Sequence, residues 1–479
     1  MEFSLISPII IYGVLGFTIV WLLVPLIQKI TSPRAAEARN RDQGEETPIS
    51  RFGGVALAVV LVAVYFSAEW FLGKGTIQRS EVIMSLGALA MFGVGLLDDI
   101  RPIGAKFKLA GQILVASAVY SAGIEIENLT NPITHESLPL AGLGYFATVF
   151  WLVAMTNLIN LIDGIDGLAG GIALMLMCLL AYTGLTFLNF YFLVAVAMAG
   201  ALLAFIYYNF PPAKIYLGDG GAYFLGFLIG LLTIQSSQKG TIAAALIAPI
   251  FALGVPILDV LLAIVRRGVK GLPIFRPDRR HIHHKLMASG FSRKRTLLTL
   301  YALSLVCLFL AFAVFWHQGK LLPILCGCLF LLLLISARSL GLVRDWFTAD
   351  GTLGNVLRMR RETRYALCLG RWLELEAERC TESKELWDSY VFFASKVGFT
   401  RVRFILENGE LVWSRAGNPN MTQTVLFPIV TGNIKGLEFT AETAVMSRKL
   451  FEHLTELAGE TWLKTALRWE QKHGRAMQL

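Results

Sequence analysis

Carboxylates are scarce along the first two thirds of this chain, and five of them stand at the ends of apolar runs: Asp98-Asp99 ahead of Ile100-Arg101-Pro102, Asp163 and Asp166 within Asn157–Gly171, and Asp219 in Gly218-Asp219-Gly220-Gly221. Adjacent aspartates repel, so one is pushed toward its neutral form unless a metal or a lysine lies close. Lys106 and Lys108 follow the first pair. Glycines beside Asp163, Asp166 and Asp219 let backbone approach a ligand closely. Asp166 is also placed to cap a following helix, whose free N–H groups suit an anion. Magnesium takes one or two carboxylates and completes its shell with phosphates and water, a need that an Asp on a Gly-rich loop can meet. Helix capping or a charged loop is the alternative reading for any one group taken singly. Acids at the ends of apolar segments are expensive and mark function by default, and several on one side call for a cation.

A further group is basic: Arg276-Pro277-Asp278-Arg279-Arg280-His281-Ile282-His283-His284-Lys285-Leu286. Arginine matches phosphate bidentately, and imidazole binds phosphate or moves protons. A zinc site is the alternative, but no cysteine or well-spaced carboxylate accompanies the histidines. The six cysteines give no disulfide framework, since Cys178, Cys307, Cys326 and Cys328 sit in apolar runs and Cys368 and Cys380 follow them.

The elements that must position these residues are membrane helices. Hydrophobic residues make up 55% of the chain and charged residues only 16%, against about 25% charged in ordinary soluble domains. Apolar runs long enough for a span need about 20 residues, and they give about eleven helices. These cover roughly 4–28, 51–72, 80–97, 107–123, 145–160, 167–184, 190–208, 221–236, 241–265, 297–316 and 321–337. The net charge of +9 has two readings, nucleic-acid binding and the cytoplasmic excess of Lys and Arg, and the second fits better because positive charge sits in loops between the runs. Segments 29–50, 98–108 and 266–295 are basic and share one side, whereas 124–144 has no Lys or Arg. The N-terminus is therefore expected outside and the C-terminus in the cytoplasm, with every carboxylate group at a cytoplasmic helix end. The segment 125–144, with Asn131-Pro132 and Ala141-Gly142, is expected to form a short hairpin. Residues 338–479 read as a soluble α+β domain: helix over 371–398, strands at 401–406, 410–413, 424–430 and 436–442 with a turn at Asn408-Gly409, and helix over 444–472. That order resembles a GAF-type sensory module, without a shared motif. The fold class is thus an all-α polytopic membrane domain, 1–337, followed by a C-terminal soluble domain, 338–479.

Taken together and in order, Thr47-Pro48 with Gly53-Gly54, Asp98-Asp99 with Pro102 through Gln112, Asn157–Gly171, Gly218–Gly221 and Arg276–Leu286 resemble the polyprenyl-phosphate N-acetylhexosamine-1-phosphate transferases of glycosyltransferase family 4, the WecA/TagO type. His281-Ile282-His283-His284 differs from the unbroken histidine run of the more distant MraY type. The resemblance implies attack by a lipid phosphate, undecaprenyl phosphate, on the β-phosphorus of a UDP-sugar, most simply UDP-GlcNAc, with UMP leaving. It implies a bacterial inner-membrane enzyme using Mg2+, with Mn2+ as the alternative ion. Asp219 would then be a metal ligand together with Asp163. Asp98 would be the catalytic carboxylate, supported by Asp99. Asn157, Asp163 and Asp166 would line the nucleotide and metal region, and Lys108 would meet the phosphates. Arg280, His281, His283 and His284 would hold the sugar or diphosphate. The lipid bilayer and a second copy of the chain are the candidate partners. A transporter or ion relay built on the same acids is the rival reading; it would place them mid-membrane in broken helices.

Overall fold

The computed structural model describes residues 2–39, 49–73, 77–130, 136–185, 188–237, 289–316, 353–406, 409–415, 422–431 and 434–474, with scattered positions between 250 and 287 and between 327 and 331. The chain divides into two compact units: Met1–Leu262 with Asp278–Val343, and Ala263–Pro277 with Arg344–Leu479.

The first unit is helical. Its described helices are α1 (Glu2–Arg39), α2 (Gly53–Leu72), α3 (Arg79–Ile100), α4 (Ala105–Ser121), α5 (Gly144–Ile162), α6 (Leu168–Gly184), α7 (Phe190–Asn209), α8 (Gly218–Ser237) and α9 (Arg293–Trp316). Among the described residues, five apolar segments are long enough to cross a membrane: Ser7–Thr31, Gly53–Leu72, Arg79–Ile100, Ala141–Ile162 and Phe190–Asn209. The chain is therefore a mostly helical membrane protein. The finer expectation of about eleven spans rests in part on 241–265 and 321–337, which lie largely outside the described residues.

The sequence of α7 is apolar on every face, as a helix enclosed by others must be, and α7 is buried along most of its length. Around it pack α1, α2 and α6, while α8 packs against α2, α3 and α5. The outer helices turn large apolar side chains outward, among them Leu22, Phe66, Trp70, Phe146 and Phe150. A soluble protein rarely exposes so continuous an apolar surface, but lipid covers it at no cost. The expected hairpin is present: β1 (Asn128–Thr130) pairs antiparallel with β2 (Ser137–Pro139).

The second unit is α+β. Its helices are α10 (Leu353–Glu376), α11 (Ser383–Val397) and α12 (Arg448–His473). Its strands β3 (Arg401–Leu406), β4 (Gly409–Ser414), β5 (Thr422–Thr431) and β6 (Ile434–Glu442) form an antiparallel sheet in the order β4-β3-β6-β5. Alternation along β3 and β6 sends Val402, Phe404, Leu437 and Phe439 into a core with Tyr390, Phe393 and Trp462 from the helices. Two boundaries move from expectation. The helical pattern of 371–398 splits at 377–382 into α10 and α11, and Leu406 pairs with Gly409, so the β3–β4 connection is 407–408 and Gly409 begins the strand.

Candidate active site

The carboxylates converge at the end of the helical unit where α3, α5 and α8 meet. Asp98 and Asp99 occupy the last turn of α3, Asp163 is the residue following α5, and Asp219 stands in the first turn of α8. Close helix approach makes this geometry available. At Gly95 a Cβ would lie 2.4 Å from the Asp219 carbonyl oxygen, so only glycine lets α3 rest on the start of α8.

Lys108, one turn into α4, reaches across to both groups. Its Nζ stands 2.5 Å from Asp98 Oδ2 and 2.9 Å from Asp219 Oδ2. The pairs are only partly exposed, and in that setting removing one partner costs more than the pair contributes. Asp98 Oδ1 accepts from the Ile103 amide at 2.8 Å, which fixes the carboxylate against the turn before α4. Asp219 Oδ1 accepts from Asn160 Nδ2 at 3.0 Å.

Asp99 faces differently. Its Oδ1 accepts from the Asp219 amide at 3.0 Å and its Oδ2 from the Gly220 amide at 2.8 Å. The first N–H groups of a helix have no partner inside the helix, and here a carboxylate from another helix supplies it, with favourable charge toward the positive end of the α8 dipole.

The Asp163 carboxylate has no hydrogen-bond or ion-pair partner among the described residues. Burial, then the negative charges of Asp219, Asp99 and Asp166, push its carboxyl well above the usual carboxylate range. Asp166 hydrogen-bonds to a different segment. Its Oδ2 accepts from the Ala213 amide at 3.1 Å, and the N-cap of α6 is Gly167, with φ of +82° and no side-chain cap. The capping expected of Asp166 is therefore absent, because its carboxylate is drawn to the 210–217 connection instead. Asn157 also lies off the carboxylates. Its Nδ2 donates to Gln112 Oε1 at 2.7 Å and to the Val153 carbonyl at 2.8 Å. Arg280, His281, His283 and His284 lie outside the described residues.

Several contacts support the site beyond the roles expected from sequence. Asn160, one turn beyond Asn157, is the asparagine that touches Asp219. Asn209 accepts from the Gly167 amide at 2.8 Å and donates to the Ile215 carbonyl at 2.7 Å. Tyr301 of α9 donates to the Gly167 carbonyl at 2.5 Å. Gly171 makes the slot for its ring, since a Cβ there would lie 2.1 Å from the Tyr301 hydroxyl oxygen. The Gly53 and Gly54 amides, at the start of α2, donate to the Tyr216 and Leu217 carbonyls at 3.0 Å each, pinning the approach to α8.

The donor set suits a hard cation. It is all oxygen apart from the lysine, and Asp98, Asp99, Asp163 and Asp219 face one ammonium among the described residues. No three acidic, histidine or cysteine side chains among the described residues form a ready metal cage. An ion at this end of the helices would take one or two carboxylates and complete its shell from phosphates and water.

Residues 82–237 match the family model described as glycosyl transferase family 4. The chain is 32% identical over 301 residues to the "Probable undecaprenyl-phosphate N-acetylglucosaminyl 1-phosphate transferase" of Bacillus subtilis (strain 168), covering 62% of this chain and 82% of that protein. It is 30% identical over 330 residues to the "Decaprenyl-phosphate N-acetylglucosaminephosphotransferase" of Mycobacterium leprae (strain TN), covering 62% and 79%. The "Undecaprenyl-phosphate alpha-N-acetylglucosaminyl 1-phosphate transferase" of Escherichia coli (strain K12) is 27% identical over 275 residues, covering 55% and 72%. With relatives matched over so much of their length, this chain belongs to glycosyl transferase family 4.

Proposed function

We propose that the protein transfers N-acetylglucosamine-1-phosphate from UDP-N-acetylglucosamine to undecaprenyl phosphate. The names of its relatives support the substrate class. The site observation that carries the reading is the bridge from Asp98 through Lys108 to Asp219, with Asn160 and Asp163 beside it.

An oxygen of the lipid phosphate attacks the β-phosphorus. The bond from that phosphorus to the oxygen bridging toward the α-phosphate breaks, and UMP leaves with that oxygen. Such a transfer needs positioning and charge neutralisation more than covalent chemistry. Lys108 supplies a fixed positive charge to the phosphates. Asp98, held by the Ile103 amide, keeps the lysine and the incoming phosphate oriented. Asp99 holds the first turn of α8, and so the Asp219 carboxylate, in place. Asp219 and Asp163 would bind Mg2+, or Mn2+ in its stead, which when bound neutralises diphosphate charge. Asn157 and Asp166 would border the nucleotide, and Arg280, His281, His283 and His284 would hold the sugar or diphosphate. In this reading the chain crosses the bacterial inner membrane about eleven times, with the site and the C-terminal domain at the cytoplasmic side.

The purified protein in nanodiscs, given undecaprenyl phosphate, UDP-N-acetylglucosamine and Mg2+, is expected to release UMP and form the lipid diphosphate sugar. The Asp219→Asn variant is expected to lose nearly all of that activity. Absence of UMP release with any of a panel of UDP-sugars, from protein shown to be folded, ends the proposal.

A further inference from the structure

We propose that one face of α10 in the C-terminal unit lies against a bilayer surface carrying anionic phospholipid. Side chains at intervals of three and four residues share one helix face. On α10 that spacing groups Arg361, Arg364 and Arg371 with Tyr365, Trp372 and Leu375. Opposite them Ala366 and Leu373 enter the core. The outward aromatic and leucine side chains are well exposed: Tyr365 is 45%, Trp372 37% and Leu375 57% accessible. The ring of Trp372 meets that of Phe392 on α11 at 5.4 Å, and Lys396 holds its ammonium 5.4 Å from the Phe392 centroid, extending the same mixture of apolar and cationic groups.

Charge decides the kind of partner. The three arginines form no ion pair or hydrogen bond among the described residues, although carboxylates are available on the same helix at Glu362 and Glu374. An exposed helix face in a soluble domain is typically charged and polar. A helix at a lipid interface combines the two, with aromatic and leucine side chains entering the headgroup boundary and guanidinium groups meeting phosphates. A short stretch of chain joins α10 to the unit that the bilayer holds. The membrane unit ends at Val343 and α10 begins at Leu353, a link spanning at most roughly 35 Å when extended. Tethering of that length gives a weak surface a high effective concentration of lipid.

Cys368 is exposed in the middle of this face and reports on it directly. The full-length protein is placed in nanodiscs of phosphatidylcholine with and without phosphatidylglycerol, and maleimide modification of the Cys368 peptide is timed by mass spectrometry. Modification is expected to slow about fivefold in the anionic discs, because basic residues near a charged bilayer add their attractions. High salt and the combined Arg361→Glu, Arg364→Glu and Arg371→Glu substitutions are expected to restore the faster rate. The matching Gln substitutions, which do not reverse charge, are expected to fall between. Equal rates in the two lipids overturn the proposal. Protection in both lipids that the charge reversals leave unchanged also overturns it, since a protein surface would then be the cover.

Discussion

Asp98 and Asp99 are neighbours in sequence and do different work, because successive residues of a helix point about 100° apart. Asp98 meets the Lys108 ammonium, whereas Asp99 spends both oxygens on the Asp219 and Gly220 amides. Hydrogen bonds to a charged group contribute about 1.5–3 kcal/mol each. Asp99→Ala is therefore expected to slow UMP release by about 100-fold, while Asp99→Asn, which keeps one acceptor oxygen, retains more; steady-state rates on folded protein check the order. Asp163 gives a prediction with a pH sign. Its carboxyl is raised in the folded protein, so the fold favours the protonated form, and stability falls as pH climbs from the unfolded value toward the raised one, then stays level. In EDTA, Asp163→Asn is expected to melt at a higher temperature than the parent at pH 8, with the gap closing as pH falls toward 4; thermal melts across that range test it, and a variant that melts lower throughout contradicts it. At this scale the sequence was partly legible. Aspartates in apolar surroundings announce themselves by cost, and Lys108 by proximity. Asn160 did not, because an asparagine one turn from another has no distinguishing pattern until the facing helix is known.

Elements position the site by close backbone contact, and the residues that permit it are small. The turn Asp163–Gly167 is held from two directions, by Asn209 at the end of α7 and by Tyr301 of α9, whose ring fills the slot left by Gly171. Tyr301→Phe removes one hydrogen bond and is expected to lower stability by about 1 kcal/mol with modest loss of activity. Gly171→Ala must expel the ring, and is expected to cost several-fold more activity than Tyr301→Phe, because the whole turn moves. Comparison of melting temperature with KM for UDP-N-acetylglucosamine in the two variants checks this. Among the described residues, helices were readable from the apolar runs, since those runs are long enough to span. The tail strands were readable from alternation and turn residues. Contacts such as Tyr301 with Gly167 join positions far apart in the chain, and neither periodicity nor local composition carries information about them. The displaced turn after β3 has a related cause: Asn408-Gly409 favours a hairpin, but register is fixed by which residues of β3 must face the core.

The molecule has two cores of different character, one clothed in outward leucine and phenylalanine and one with charge at its surface. The catalytic candidates all belong to the first unit, so a protein ending at Val343 is expected to keep measurable UMP release. It is also expected to be less stable in detergent, and comparison of activity and melting temperature with the full chain tests both; complete loss from an inserted, folded truncation makes the tail essential. The reason for the lost stability lies in the division of the chain. Ala263–Pro277 belongs to the C-terminal unit although it is made long before it, and Leu272 packs on that unit's core. During synthesis this early piece emerges from the ribosome and then waits while residues 278–343 are made. Its apolar side chain finds its home only when the final stretch appears. A chain halted shortly after Val343 would thus carry Leu272 without the core that receives it.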